Sequence, residues 1–155
     1  MIVILPAAPH DAEVIHAIQM RAFAEEARLS GTEQIPPLME GVAAVEHDIR
    51  AHTVLIARDG DQIVGSARGV IKGAACLIHR VSVEPTYQGK GIGAKLIDAV
   101  EQLHATVERF ELTTNTLVPG NVEFYERRGY TVTQRRNFTD KIVLVDMQKM
   151  SARTL

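Results

Sequence analysis

Three glycines at alternate positions, Gly89, Gly91 and Gly93, are the residues whose type and spacing most clearly invite chemistry. They strip the side chains from one side of a turn. The bare N–H groups that remain, at the start of a helical pattern, suit phosphate oxygens. Lys90 stands among them, either as a further charge for a phosphate or as a solvated surface cation. Cys76 is the only cysteine. It rules out an internal disulfide, fits a reducing compartment, and in its apolar run reads as a small core residue rather than a nucleophile. No Ser or Cys sits in a nucleophile context, so a covalent enzyme intermediate is not expected.

The elements that must hold these glycines follow from periodicity and turn signals. Ile78 to Val83 is an apolar strand that Glu84-Pro85 interrupts, because proline has no N–H to give a sheet. Beyond the glycines, Ile92, Leu96, Val100, Leu103 and Val107 step by four, four, three and four, which predicts a long amphipathic helix. Upstream, Ile2 to Leu5 reads as a strand, and Asp11 starts a helix carrying Val14, Ile15, Ile18, Ala22 and Phe23. A second helix carries Leu38, Val42, Val45 and Ile49, and a hairpin turns at Asp59-Gly60 between Thr53–Arg58 and Gln62–Ile71. Downstream come a strand at Phe110–Thr114, a short helix from Asn121 to a left-handed cap at Gly129, and a hairpin of Tyr130–Arg135 with Ile142–Val145. Ser151–Leu155 is expected to fray. This order predicts an α/β (α+β) fold, with a mixed, mostly antiparallel sheet of about seven strands flanked by four helices.

Composition narrows the partners. The 155 residues suit one domain, 1–155, with 46% apolar and 23% charged residues. A net charge of −2 argues against a nucleic-acid binder. No apolar run is long enough for a bilayer, and the first five residues read as a strand rather than a signal peptide. A cytoplasmic protein acting on a small molecule is expected.

Three phosphate-ligand readings compete. A Walker A loop needs Gly-Lys followed by Ser or Thr, and no window supplies it. Gly89-Lys90-Gly91-Ile92-Gly93-Ala94 formally matches a dinucleotide fingerprint, but Glu84–Gln88 separate it from the strand and no acidic residue ends Phe110–Thr114. The third reading is an acyl-CoA site. Gln88-Gly89-Lys90-Gly91-Ile92-Gly93 resembles the Gln/Arg-x-x-Gly-x-Gly/Ala loop of the GNAT superfamily of acetyl-CoA-dependent N-acetyltransferases. Asn121 with Phe124-Tyr125-Glu126-Arg127-Arg128-Gly129-Tyr130 resembles that family's second motif, and the element order to about residue 148 matches its layout.

The resemblance implies roles for particular residues. The loop amides of Gln88, Gly89, Lys90, Gly91 and Gly93 would hold the CoA pyrophosphate, and Asn121 the pantetheine arm, unless it only caps its helix. The strand before the loop would pair with pantetheine, placing Val81 and Val83 at the thioester, with the Val81 N–H facing the acetyl oxygen. Tyr125 would donate a proton or hydrogen bond to the leaving thiolate. Strand alternation puts Leu77, His79, Val81 and Val83 on one face, with Arg80 opposite. His79 is then either the base for the amine or a hydrogen-bonded histidine of the sheet. At the position where relatives carry a Glu base, this chain has Leu77. Glu25, Glu26 and Glu33 fall where relatives build the acceptor pocket and could hold a cationic amine, although a solvated helix face is the plainer reading for the first two. The expected reaction is direct transfer of acetyl from acetyl-CoA to a primary amine of a small molecule, without a metal. Relatives are often homodimers. A protein N-terminus or Lys as acceptor, a non-catalytic acyl-CoA module and an NAD site stand as alternatives.

Overall fold

The two sharp glycine turns lay down the centre of the sheet. β2 (Thr53–Asp59) and β3 (Gln62–Lys72) pair antiparallel around Gly60, whose φ of 60° is the left-handed backbone that a two-residue hairpin turn needs. Gly73, at φ 59°, turns β3 into β4 (Ala75–Val83). In the computed structural model, which describes residues 1–154, these strands belong to one seven-stranded sheet. Its order is β1-β2-β3-β4-β5-β7-β6, with β1 at Ile2–Pro6, β5 at Arg109–Asn115, β6 at Thr131–Asn137 and β7 at Val143–Met150. Every neighbouring pair is antiparallel except β4 and β5. The expected mixed sheet is present, and β7 runs five residues further than the sequence predicts.

The four expected helices are present, two of them broken. The first divides at Phe23 into α1 (Ala12–Ala22) and α2 (Ala24–Ser30). The second divides at Glu40-Gly41, whose backbone is extended, into α3 (Pro36–Met39) and α4 (Val42–Ala51). α5 (Ile92–Leu103) and α6 (Asn121–Glu126) follow the glycine turn and Gly120. No described helix is long and apolar enough to cross a membrane.

Helices cover both faces of the sheet. Ile92, Leu96, Ile97 and Val100 of α5 bury against Ala67, Cys76, Ile78, Phe110 and Leu112 on one face. On the other, Ile15 of α1 and Val45 of α4 pack on Val54 and Ile56. Leu103 is exposed, contrary to the sequence pattern, because α5 ends there; Ile97 takes its place in the core. The C-terminal residues are also held rather than frayed. Ser151 is buried, its hydroxyl bonds the Val107 carbonyl, and the Thr154 hydroxyl bonds the Glu108 carbonyl at 2.7 Å. Leu155, the end of the expected tail, lies outside the described residues.

Close approach of α5 to β3 depends on a missing side chain. A Cβ on Gly69 would sit 2.8 Å from Val100 Cγ1 and 3.2 Å from Cys76 Sγ. A helical valine has little rotamer freedom to yield. Gly69→Ala is therefore expected to destabilise the protein by about 1–3 kcal/mol, read as a lower melting temperature. In a double-mutant cycle, Gly69→Ala with Val100→Ala should be less destabilising than the sum of the two single changes.

Candidate active site

The opening in the sheet begins where β4 and β5 part. The two strands pair only from Ala75–Leu77 to Arg109–Glu111, and beyond Leu77 the β5-facing edge of β4 is unpaired. Between Ser66↔Ser82 and Arg68↔His79, β3 advances two residues while β4 advances three. That extra residue is a β-bulge, which bends the strand carrying it. Arg80 takes the bulge with φ 53°, the only positive φ of a described non-glycine residue. A bidentate ion pair from Arg21 to Glu84, at 2.9 and 2.8 Å, fastens the diverging end of β4 to α1.

A cavity of about 750 Å3 runs through the gap. Its one end is lined by Gln88, Gly89, Gly91 and Gly93, its middle by Val81, Asn121 and Tyr125, and its other end by Phe23, Glu26, His79, Arg80 and Asn115. The glycine turn sits at the N-terminus of α5. Gly89 (φ 79°) and Gly91 (φ 80°) are left-handed, a conformation other residues adopt only with strain. Gly93 is not so constrained: a Cβ there would meet Val83, Phe124 and Val81 at 3.8–4.0 Å, ordinary contact. The first N–H groups of α5 have no partner within the helix. Gln88 braces the turn by donating to the Val83 carbonyl at 3.2 Å. Lys90 is exposed, 4.9 Å from the Tyr87 ring centroid, and lies outside the cavity lining.

Tyr125 stands edge-on to Phe124 and Tyr130, with ring centroids 5.1 and 6.0 Å away. Burial, aided by the negative charge of Glu26, pushes its phenol up to about 12, so the proton stays on oxygen at neutral pH. Asn121 does not cap its helix. Its amide instead donates to Thr114 Oγ1 at 3.0 Å, which anchors α6 to β5.

The bulge corrects the alternation expected for β4. His79 sits opposite Arg68, whose partners Gln19, Glu40 and Asp48 belong to the α1–α4 face. Val81 and Val83 pack instead with the α5 cluster. His79 and Val81 thus leave the strand on opposite faces, and Arg80 turns with His79 rather than away from it. Burial first, then the cations Arg80 and Arg68, lower the His79 imidazole to about 4. It is neutral at pH 7 and a poor proton acceptor.

Two further groups share this end: Glu26, one of the three acidic residues the sequence offered for a cationic amine, and Arg80, which strand alternation had put on the opposite face. The Glu26 carboxyl is raised by burial, against the lowering effects of Asn115, whose amide lies 3.5 Å away, and of Arg80. Glu25 also borders the cavity but is exposed and paired with Arg28 at 2.6 Å, whereas Glu33 lies exposed outside the lining. The distinguishing signal was spacing: Glu26 follows Ala22 and Phe23 by four and three residues, on their side of the turn, whereas Glu25 is three before Arg28. Arg80 had no such signal. Outside the cavity lining, His47, Asp48 and His52 bring ligand atoms within 4.8 Å of one another, but one Asp48 oxygen already accepts from Arg68 at 2.9 Å.

A sheet opened between two parallel-running strands, beside a glycine-rich helix start, defines an acyl-group transferase architecture of the kind the sequence motifs resemble. The chain belongs to the GNAT acetyltransferase family: the model of the acetyltransferase (GNAT) domain matches residues 23–151. No curated protein sequence matches it significantly. Among solved structures, the chain is similar to the ribosomal-protein-S18-alanine N-acetyltransferase of Escherichia coli (TM-score 0.80, 16% identity, covering 97% of this chain and 94% of that one). It is also similar to the PaiA N-acetyltransferase of Thermoplasma acidophilum in complex with coenzyme A (0.72, 16%, 97% and 99%). A third likeness is to YncA of Salmonella typhimurium with acetyl-CoA (0.75, 18%, 97% and 94%). At these identities the likeness is one of fold.

The electrostatics of His79 are directly measurable. An NMR titration of the His79 imidazole is expected to give a midpoint near 4. Arg80→Gln removes one of the cations that disfavour the imidazolium, so the midpoint should move up towards the ordinary value.

Proposed function

We propose that this chain is a single-domain enzyme that transfers the acetyl group of acetyl-CoA to a primary amine of a small molecule. The observation that carries the reading is the continuous cavity from the glycine turn, through the gap between β4 and β5, to Glu26. One substrate enters from each end and the two meet near Tyr125. The CoA complexes of the PaiA and YncA neighbours support acetyl-CoA as the donor. Its pyrophosphate lies against the amides of Gln88–Gly93, and Asn121 keeps its carbonyl for the pantetheine arm. The free edge of β4 at Val81 and Val83 faces the thioester, where the Val81 N–H stabilises the oxygen that gains charge.

The acceptor approaches as a cation drawn to Glu26, passes one ammonium proton to solvent to become the attacking free amine, and passes a second to solvent as the amide forms. Its nitrogen lone pair forms the C–N bond, and the C–S bond breaks to release CoA as a thiolate. Tyr125, whose phenol holds its proton, steadies that thiolate by a hydrogen bond; a phenol raised to about 12 suits donation better than full transfer. His79 is kept as a neutral wall of the acceptor end rather than as the base, since its surroundings disfavour the imidazolium. Attack is direct, because Cys76 is fully buried and burial pushes its thiol up to about 11. The lone buried cysteine also supports a reducing, cytoplasmic setting.

The test is CoA thiol release from acetyl-CoA across a panel of primary amines. Tyr125→Phe is expected to lower kcat by at least about a hundredfold while the thermal shift with CoA persists. Full turnover by that variant removes Tyr125 from the mechanism, and no shift with CoA or acetyl-CoA removes the donor.

A further inference from the structure

Two arginines lie side by side under the acceptor end of the cavity, and they are treated very differently. Arg68 is fully buried and committed through both terminal nitrogens, which donate to Asp48 at 2.9 Å, Gln19 at 2.6 Å and Glu40 at 2.7 Å; its Nε alone has no partner. Such an arginine holds structure together. Arg80 makes no side-chain hydrogen bond to any described residue. Its Nε is buried without a partner, and its nearest carboxylate oxygen, Glu40 Oε2, is 3.7 Å away. The other Glu40 oxygen is occupied by Arg68 and Gln19. The side chain keeps 21% of its surface open, and it lines the cavity. The backbone beneath it is strained into the left-handed region, and strain of this kind is retained mostly at functional sites.

Glu26 lines the same end of the cavity, near enough that the Arg80 charge lowers its carboxyl against the effect of burial. The pocket therefore offers the Glu26 carboxylate and, at the same end, a guanidinium that makes no side-chain hydrogen bond. It complements a molecule carrying both an ammonium and an anion.

Resting on the acetyl-transfer reading above, we propose that the acceptor is a small amino carboxylate, with its amine at Glu26 and its carboxylate on Arg80. The planar fork of a guanidinium matches a carboxylate with two parallel hydrogen bonds, which a lysine does not reproduce. Arg80 is thus a specificity-determining residue, positioned by the β4 bulge and flanked by Glu40.

The test has a binding arm and a turnover arm. Calorimetry on the CoA-bound protein should detect amino acids from an unbiased set and reject their carboxamides. Arg80→Gln should abolish that binding, and Arg80→Lys, which keeps the charge and serves if the Gln variant does not fold, should weaken it by at least about tenfold. In the thiol-release assay, kcat/KM for an amino acid should exceed that for its carboxamide by at least about tenfold, and the Arg80 variants should bring the ratio towards one. Failure of every amino carboxylate to bind the CoA-bound wild type overturns the proposal, as does equal loss of acid and carboxamide in the variants. Arg80-dependent binding without acetyl transfer leaves this assignment standing and overturns the transfer reading instead.

Discussion

One extra residue in β4 sets the geometry on which everything else depends. β4 loses its pairing with β5 beyond Leu77, and the bulge at Arg80 bends the strand just past that point, at the depth where Val81 and Tyr125 line the cavity. A left-handed arginine costs on the order of 1–3 kcal/mol, so the surroundings must hold it. Arg21 clamps Glu84 beyond the bulge, and the Arg68 cluster anchors His79 before it. The bend is thus fixed on both sides, by groups from α1, α4 and the break before α4 and by the strand beneath.

The same cluster joins the cavity wall to the rest of the fold. Glu40 sits in the break between α3 and α4, accepting from Arg68 and Gln19 and flanking Arg80. Burial alone would raise its carboxyl, but the hydrogen bonds from Arg68 and Gln19 and the two cations reverse that and hold it below the ordinary range. A carboxylate held down in the folded state contributes stability above its unfolded pKa and loses it as pH falls through its folded one. Acid therefore loosens the α3–α4 wall and the bulge together. Removing Arg68 would strand two carboxylates, which is why a buried ion cluster is far more sensitive to losing one member than its net contribution suggests.

What the sequence revealed was local. The Asp59-Gly60 hairpin, the glycine turn and the α5 stripe each follow from residues within a turn or two of one another, and each is present. The bulge was not legible, since Arg80 carries none of the glycine or proline marks of irregular backbone, and with it went the facing of His79. Leu103 was misread because the stripe ran on past the point where His104 closes the helix. The anchoring of Ser151 depends on the Val107 carbonyl, forty-four residues away in the chain. Glu26 and Arg80 became visible as a pair only once α2 and β4 were brought to one cavity.

The position of β7 has a consequence for how the chain is made. β7 follows β6 in sequence yet lies between β5 and β6, so β5 has no antiparallel neighbour until Val143–Met150 has been synthesised. At about 5–20 residues per second, that leaves the edge of β5 waiting for some seconds after Asn115 emerges. During that interval the nascent chain carries an open, half-apolar strand edge of the kind that recruits other strands. The part of the sheet that flanks the reaction cavity is therefore the last to be sealed, and the newly made protein is most exposed to mispairing along the strand that later borders its substrates.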